Sequence, residues 1–185
     1  MMVLRTRAAP GAARIPAAVL ALLLASASVS GAQGSVRLAA QTLAGAPRVI
    51  PVDLEGTVDI LVIGFSQKAG TAARPWAERL SADFPASGGS AVYEVAVLAG
   101  VPAWFRPLAL AATRASTAPV DRSRLLVALT DLQSWKDLAG GEAADEPCVV
   151  VIDRRGSVLA RTRGDYQQGR YDEISAAIRA AMGRN

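Results

Sequence analysis

Residues 59–71 have the sequence Asp-Ile-Leu-Val-Ile-Gly-Phe-Ser-Gln-Lys-Ala-Gly-Thr, and this stretch decides how the rest of the chain is interpreted. Its first seven residues are almost all apolar, which is typical of a strand covered on both faces in a central parallel or mixed sheet. A helix is predicted next, capped by Thr71, with Pro75 in its first turn and its end near Asp83. Its apolar residues recur at helical spacing, and they are Ala73, Trp76, Ala77 and Leu80.

Strand and helix patterns alternate along the rest of the chain. Further strands are predicted at 91–98, 124–129, 148–153 and 158–163, and further helices at 103–115, 130–138 and 171–182. The order from residue 59 onward is therefore β-α-β-α-β-α-β-β-α. Such alternation predicts an α/β fold with a parallel core, and the closing hairpin, which turns at Gly156, adds an antiparallel edge.

Two short extended segments precede this pattern. Residues 35–43 are predicted to form an edge strand, and residues 48–54 a second strand or extended arm in which Pro51 excludes a central position. We therefore divide the chain after residue 32 into a lead-in at 33–47 and one domain at 48–185. About 150 residues are enough for one hydrophobic core without disulfide bonds.

The N-terminal segment 1–32 has the pattern of a secretory signal. Three arginines precede an apolar run at 15–27, and Ser30-Gly31-Ala32 places small residues before a cleavage point. The run is shorter than the roughly 20 residues that a membrane span needs. The pattern predicts an exported protein, periplasmic or extracellular, with a cleaved signal. The alternative is an uncleaved segment that tethers the protein to the membrane.

Composition excludes several kinds of chemistry. Without residues 1–32 the chain has 17 basic and 16 acidic residues, and no basic cluster with interleaved aromatics indicates nucleic acid binding. Histidine is absent and Cys148 is the only cysteine, so an internal disulfide, a Ser-His-Asp triad and a Cys-His pair are excluded. The acidic residues show no metal-ligand spacing, and we expect neither a metal nor another cofactor.

Three local features give the chain a resemblance to the thioredoxin superfamily, especially to its redoxin-like and peroxiredoxin-like forms. The first is the strand-to-helix passage at 61–66, and the second is Glu146-Pro147-Cys148 at the start of an apolar strand. The third is the hairpin at 153–159 with the C-terminal helix after it. The resemblance covers residues 48–182 and implies a three-layer α/β/α sandwich around a mixed sheet. It also implies that Pro147 occupies the position of the family's cis-proline.

A second resemblance is to a cysteine-free branch of that superfamily related to mitochondrial ATP synthase assembly factors. It rests on a strand that ends in Phe65-Ser66, a helix with tryptophan, and an arginine-containing stretch from 104 to 124. This resemblance implies a binding or assembly role near a membrane complex.

The main departure from the thioredoxin pattern lies at the start of the first helix. A thiol oxidoreductase or a one-cysteine peroxidase needs a low-pKa thiolate there, and residues 66–71 contain no cysteine. Serine cannot replace it, because a hydroxyl does not cycle through oxidation states. The sequence therefore predicts a redox-inactive domain that binds a protein or peptide. The alternative is a thiol oxidoreductase or peroxidase that uses Cys148.

The candidate binding residues surround this turn and the predicted cis-proline. A helix N-terminus binds anions, which gives Ser66, Gln67, Lys68 and Thr71 a possible ligand-binding role beside the simpler one of capping. Backbone groups next to Pro147 could pair with an extended peptide. Cys148 is either a functional thiol near that groove or a small buried residue at a strand start.

Exposed aromatic residues are predicted at a second place. Trp76 and Trp135 lie on apolar helix faces and are expected in the core. Trp104 and Phe105 follow a turn instead, and with Arg106 they form a candidate surface for a protein or peptide partner, including a membrane-associated complex. The alternative is that the arginines of this region are scattered and solvated.

Overall fold

A seven-stranded mixed sheet forms the middle layer of the protein. The computed structural model describes residues 36–141 and 144–184, and the predicted signal at 1–32 lies outside the described residues. The strands follow one another across the sheet in the order β2-β1-β5-β4-β3-β6-β7. Their bounds are β1 Leu38–Thr42, β2 Pro47–Ile50, β3 Val58–Gly64, β4 Ser90–Val97, β5 Leu125–Ala128, β6 Cys148–Asp153 and β7 Val158–Arg163.

The parallel core predicted from the sequence is present. β3 pairs in parallel with β4, and β4 with β5, whereas β6, β7, β1 and β2 join by antiparallel pairing. Every residue of β3 is buried, because the strand has a neighbour on each side and a layer on each face.

Helices cover both faces of the sheet and complete the three layers. They are α1 Gln67–Asp83, α2 Arg106–Ser116, α3 Leu132–Ala139 and α4 Gln168–Met182. Alternate residues of β3 point to opposite faces, so Ile60 packs with residues of α1 and α4, and Leu61 packs with residues of α3. Trp76 and Trp135 are buried in these two cores, which confirms their predicted packing role. Among the described helices, none is long and apolar enough to cross a membrane.

The start of α1 differs from the prediction. Ser66 has extended backbone and its hydroxyl accepts a hydrogen bond from the Ala69 amide, so Ser66 rather than Thr71 caps the helix. Thr71 lies one turn inside and donates to the Gln67 carbonyl. Pro75 is consequently in the helix interior and not in its first turn. Serine and threonine are both favoured caps, and the sequence does not say which of them begins the helix.

The N-terminal hairpin also differs from the prediction. β1 is not an edge strand, because it lies between β2 and β5, and β2 occupies the edge. The chain reverses at Gly45, whose φ of +97° suits glycine, and this turn folds β2 back onto the outer side of β1. Pro51 follows β2 directly, in agreement with its exclusion from a central strand.

Candidate functional site

The N-terminus of α1, where a thiol pair would lie in a redox-active relative of this fold, holds a carboxylate of the chain itself. The Ser66 hydroxyl donates to Asp145 Oδ1 at 3.0 Å, and Lys68 Nζ lies 3.8 Å from Asp145 Oδ2. A negative charge is favoured at a helix N-terminus, because free amides and the helix dipole point toward it. An external anion at Ser66, Gln67, Lys68 and Thr71 would therefore compete with Asp145.

Pro147 does not have the isomer that the resemblance implied. The cis peptide bond among the described residues is Ile50-Pro51, so the Glu146-Pro147 bond is trans and the expectation of a cis-proline there is wrong. The sequence does not decide this, because the two isomers of a bond to proline differ little in free energy. Pro147 is buried, and its carbonyl accepts a hydrogen bond from the Gly164 amide at 3.0 Å. That carbonyl is consequently not available to pair with an added peptide strand.

The side chain of Cys148 and helix α1 lie on opposite faces of the sheet. Cys148 pairs with Ile63 at the end of β3, and its side chain belongs to the core that contains Trp135. The residue is 0% exposed. Burial raises the pKa of the Cys148 thiol, and a hydrogen bond from Arg163 offsets this only in part. A thiol of this kind is a poor nucleophile, because the thiolate is the reactive form.

We expect Cys148 to resist a maleimide reagent in the folded protein and to react fully in denaturant. The reason is the lack of access together with the raised pKa of the thiol. Mass spectrometry after a short incubation measures the labelling. Ser87→Cys, which adds a thiol at an exposed position, should label in native buffer and serves as the control. Rapid native labelling of Cys148 would contradict its buried placement.

The predicted aromatic surface is exposed. Trp104 is 82% and Phe105 40% exposed, and their rings meet edge to face with centroids 5.6 Å apart. The guanidinium of Arg106 donates hydrogen bonds to the carbonyls of Val101 and Ala99 at 2.8 and 3.0 Å, and its place in a partner surface stays a prediction. It holds the loop that leads into α2.

α2 packs more loosely than its sequence suggests. The helix has apolar residues such as Leu108 and Leu110, yet no residue of α2 is buried. Side-chain hydrogen bonds to backbone carbonyls help to hold it, including those of Arg106 and that of Arg114 to the Leu43 carbonyl at 3.2 Å. The amphipathic spacing identified a helix and did not determine what its apolar face would meet.

A groove of about 1000 Å³ separates α2 from α1. One face of each helix forms a wall, and the floor consists of residues of β3, β4 and β5. Ser66, Gln67 and Thr71 lie at one end, so three of the predicted binding residues border it, whereas Lys68, Pro147 and Cys148 do not. Phe105 joins the lining at the same end.

Glu94 is the residue of this groove that sequence reasoning missed. It is the single charged residue in the apolar strand β4, and this interruption was the available signal. Its carboxyl lies in the floor of the groove, and its pKa is raised, mainly because of burial. The negative charges of Asp121 and Glu78 also raise the pKa, whereas the positive charge of Arg74 lowers it. No side chain in the described part of the chain hydrogen-bonds this carboxyl or lies within ion-pair distance of it.

Within residues 36–141 and 144–184, no three histidine, cysteine, aspartate or glutamate side chains are arranged to hold a metal ion. The groove has a mostly apolar floor that contains the Glu94 carboxyl, and Arg74, Glu78, Asp121 and Arg124 also line it.

Comparison with known proteins supports the fold. No family model matches the sequence, and no curated protein matches it. Among solved structures, a candidate thiol:disulfide interchange protein DsbE from Chlorobium tepidum is 20% identical, with a TM-score of 0.54 over 80% of this chain and 95% of that one. BsSco, a member of the Sco family of cytochrome c oxidase assembly proteins, is 14% identical with a TM-score of 0.54 over 82% and 95%.

A third structure, a thioredoxin-like superfamily protein, is 17% identical with a TM-score of 0.54 over 81% of this chain and 96% of its own. These identities are low, and what they share with this chain is the fold. The chain has a thioredoxin-like fold with a mixed sheet between helical layers, which confirms the fold that the first resemblance implied. The resemblance to ATP synthase assembly factors stays a prediction.

Proposed function

We propose that this thioredoxin-like chain is an exported binding domain without thiol redox activity, which holds a protein or peptide partner. The observation that carries the proposal is the start of α1, where Ser66 and Asp145 bond to each other in the place of a reactive thiol. The only thiol of the chain is buried on the other face of the sheet.

The positions of these groups argue against disulfide chemistry. Thiol exchange requires an accessible thiolate that attacks a sulfur atom and forms a mixed disulfide. Cys148 has no access to solvent and has a raised pKa, so neither requirement is met in the folded state. The alternative, an oxidoreductase or peroxidase that uses Cys148, would need the core around Trp135 to open.

A binding role agrees with the open surface at the same end of the fold. The groove between α1 and α2 is large enough for a ligand, and Trp104 and Phe105 lie exposed beside it. Exposed aromatic side chains are enriched in binding sites, because they bury much area at low entropic cost.

Export and assembly complete the proposal. The signal pattern at 1–32 supports an exported location, periplasmic or extracellular, with tethering to the membrane if the segment is not cleaved. BsSco belongs to a family of assembly proteins, and a comparable role here would be the assembly of a membrane complex. Affinity purification from solubilised membranes tests this role, and recovery of no specific partner would count against it.

The purified protein is expected to reduce insulin disulfides no faster than dithiothreitol alone and to consume no hydrogen peroxide. The physical reason is the missing thiolate at the start of α1. Cys148→Ser should behave like the wild type in both assays, and an active thioredoxin serves as the positive control. Activity that disappears in Cys148→Ser would establish the oxidoreductase or peroxidase alternative instead.

A further inference from the structure

The walls of the groove between α1 and α2 allow a chain to approach closely. α1 presents the small residues Gly70, Ala73 and Ala77 to it beside the longer Arg74 and Glu78, and α2 presents Leu108. The small residues let a backbone lie near α1, and Leu108 on the other side can contact an apolar side chain of a ligand.

The length of the groove matches a short extended peptide. α1 lines it from Gln67 to Ser81, which is about 21 Å at a rise of 1.5 Å per residue. An extended chain rises about 3.4 Å per residue, so about six residues span this length.

The charge in the groove indicates what the peptide carries. The Glu94 carboxyl lies in an apolar floor without a hydrogen bond or ion pair from the described side chains, and Glu78 and Asp121 add negative charge near it. Arg74 and Arg124 also line the groove and offset this charge in part. A half-buried carboxylate loses part of its hydration, and a cation placed against it offsets that cost.

We propose that the groove binds an extended segment of a partner protein, about six residues long, in which a lysine or arginine flanked by apolar residues contacts Glu94. The inference rests on the proposed binding function and specifies its ligand. The apolar neighbours of the cation contact Leu108 and Ala112 on one side, and the peptide backbone lies along α1. Glu94 selects for the charge, and the length of the groove sets the length of the bound segment.

Fluorescence anisotropy with defined hexapeptides tests this ligand class. The probe is fluorescein-labelled Val-Ala-Arg-Ala-Val-Gly, and the matched probe has citrulline, which is neutral and nearly isosteric, in place of arginine. Wild-type protein is expected to bind the arginine peptide about tenfold more tightly, which is the size of a charge-assisted hydrogen bond. Glu94→Gln should abolish this preference, and Glu55→Gln, at an exposed position outside the groove, should keep it.

A second pair of variants tests the location. Ala112→Trp fills the groove and is expected to abolish binding of the arginine peptide, whereas Ala111→Trp, on the neighbouring exposed position outside the lining, should leave it unchanged. Circular dichroism verifies that both variants are folded. The proposal is overturned if the arginine peptide binds no better than the citrulline peptide, or if Ala112→Trp binds like the wild type.

Failure of the groove proposal can be distinguished from failure of the proposed binding function. A partner recovered from membranes by both the wild type and Ala112→Trp would leave the binding role in place and remove the groove as its site. Disulfide reductase activity that depends on Cys148 would remove the proposed function, whatever the peptides show.

Discussion

Replacement of Trp76 by alanine is expected to lower the free energy of unfolding by about 4 kcal/mol. Trp76 is 0% exposed, and its indole packs against Tyr166 with ring centroids 5.3 Å apart. Its Nε1 donates to the Gly164 carbonyl at 3.0 Å and so joins α1 to the segment that links β7 with α4. The variant would leave a cavity and an unbonded buried carbonyl. Urea unfolding followed by circular dichroism measures the change.

A matched control for this variant is present in the chain. Trp104→Ala removes a side chain of the same kind that is 82% exposed, and its free energy of unfolding should change by less than about 0.5 kcal/mol. Similar losses in the two variants would show that Trp76 does not hold the α1 layer to the sheet.

The second large effect concerns Asp59, which lies fully buried at the start of β3. Its Oδ1 accepts a hydrogen bond from the Gly56 amide at 2.9 Å, whereas Oδ2 has no partner among the described residues. Burial raises the pKa of Asp59 to about 6, from 3.8 in an exposed aspartate. The folded protein therefore favours the neutral acid, which binds its proton more tightly than the unfolded chain does.

Ionisation of Asp59 as the pH rises lowers the stability of the folded protein. The contribution of Asp59 to stability is fully present below about pH 4 and is lost as the pH rises through about 6. We expect Asp59→Asn to raise the free energy of unfolding by about 3 kcal/mol at pH 7.5 and to have little stabilising effect at pH 4. Urea unfolding of the wild type and Asp59→Asn at several pH values measures the difference between their free energies of unfolding. The contributions of the other carboxyl groups are the same in both proteins and drop out of this difference.

Asp165→Asn, which changes an exposed carboxylate, serves as the surface control and should show the same small difference at every pH. A stabilisation by Asp59→Asn that stays constant between pH 4 and 7.5 would show that proton binding is not its cause.

The elements best predicted from the sequence are β6 and β7. Both have the predicted bounds, because an apolar run begins after Pro147 and ends at a tight turn. That turn is specified locally: Asp153 Oδ1 accepts from the amides of Arg155 and Ser157, and Gly156 has a φ of +80°. The sequence predicts this strand-turn-strand unit well because adjacent residues specify it.

The site was harder to predict, because its parts are distant in sequence. The contact of Ser66 with Asp145 joins residues 79 positions apart, and no local pattern indicates it. The groove depends on the distance between α2 and α1. The spacing of the apolar residues within α2 does not determine that distance. Glu94 was visible as a charge inside an apolar strand, but its role emerges only when the floor of the groove is known.

The order of the strands has a consequence for how chains of this protein meet. At one described border of the sheet, β2 begins with Pro47, is followed by Pro51 and carries Arg48; at the other, β7 carries Arg161 and has an irregular register against β6. Proline removes amide donors, and arginine charges repel a second copy of the same border. We therefore expect little edge-to-edge aggregation of the folded protein at high concentration.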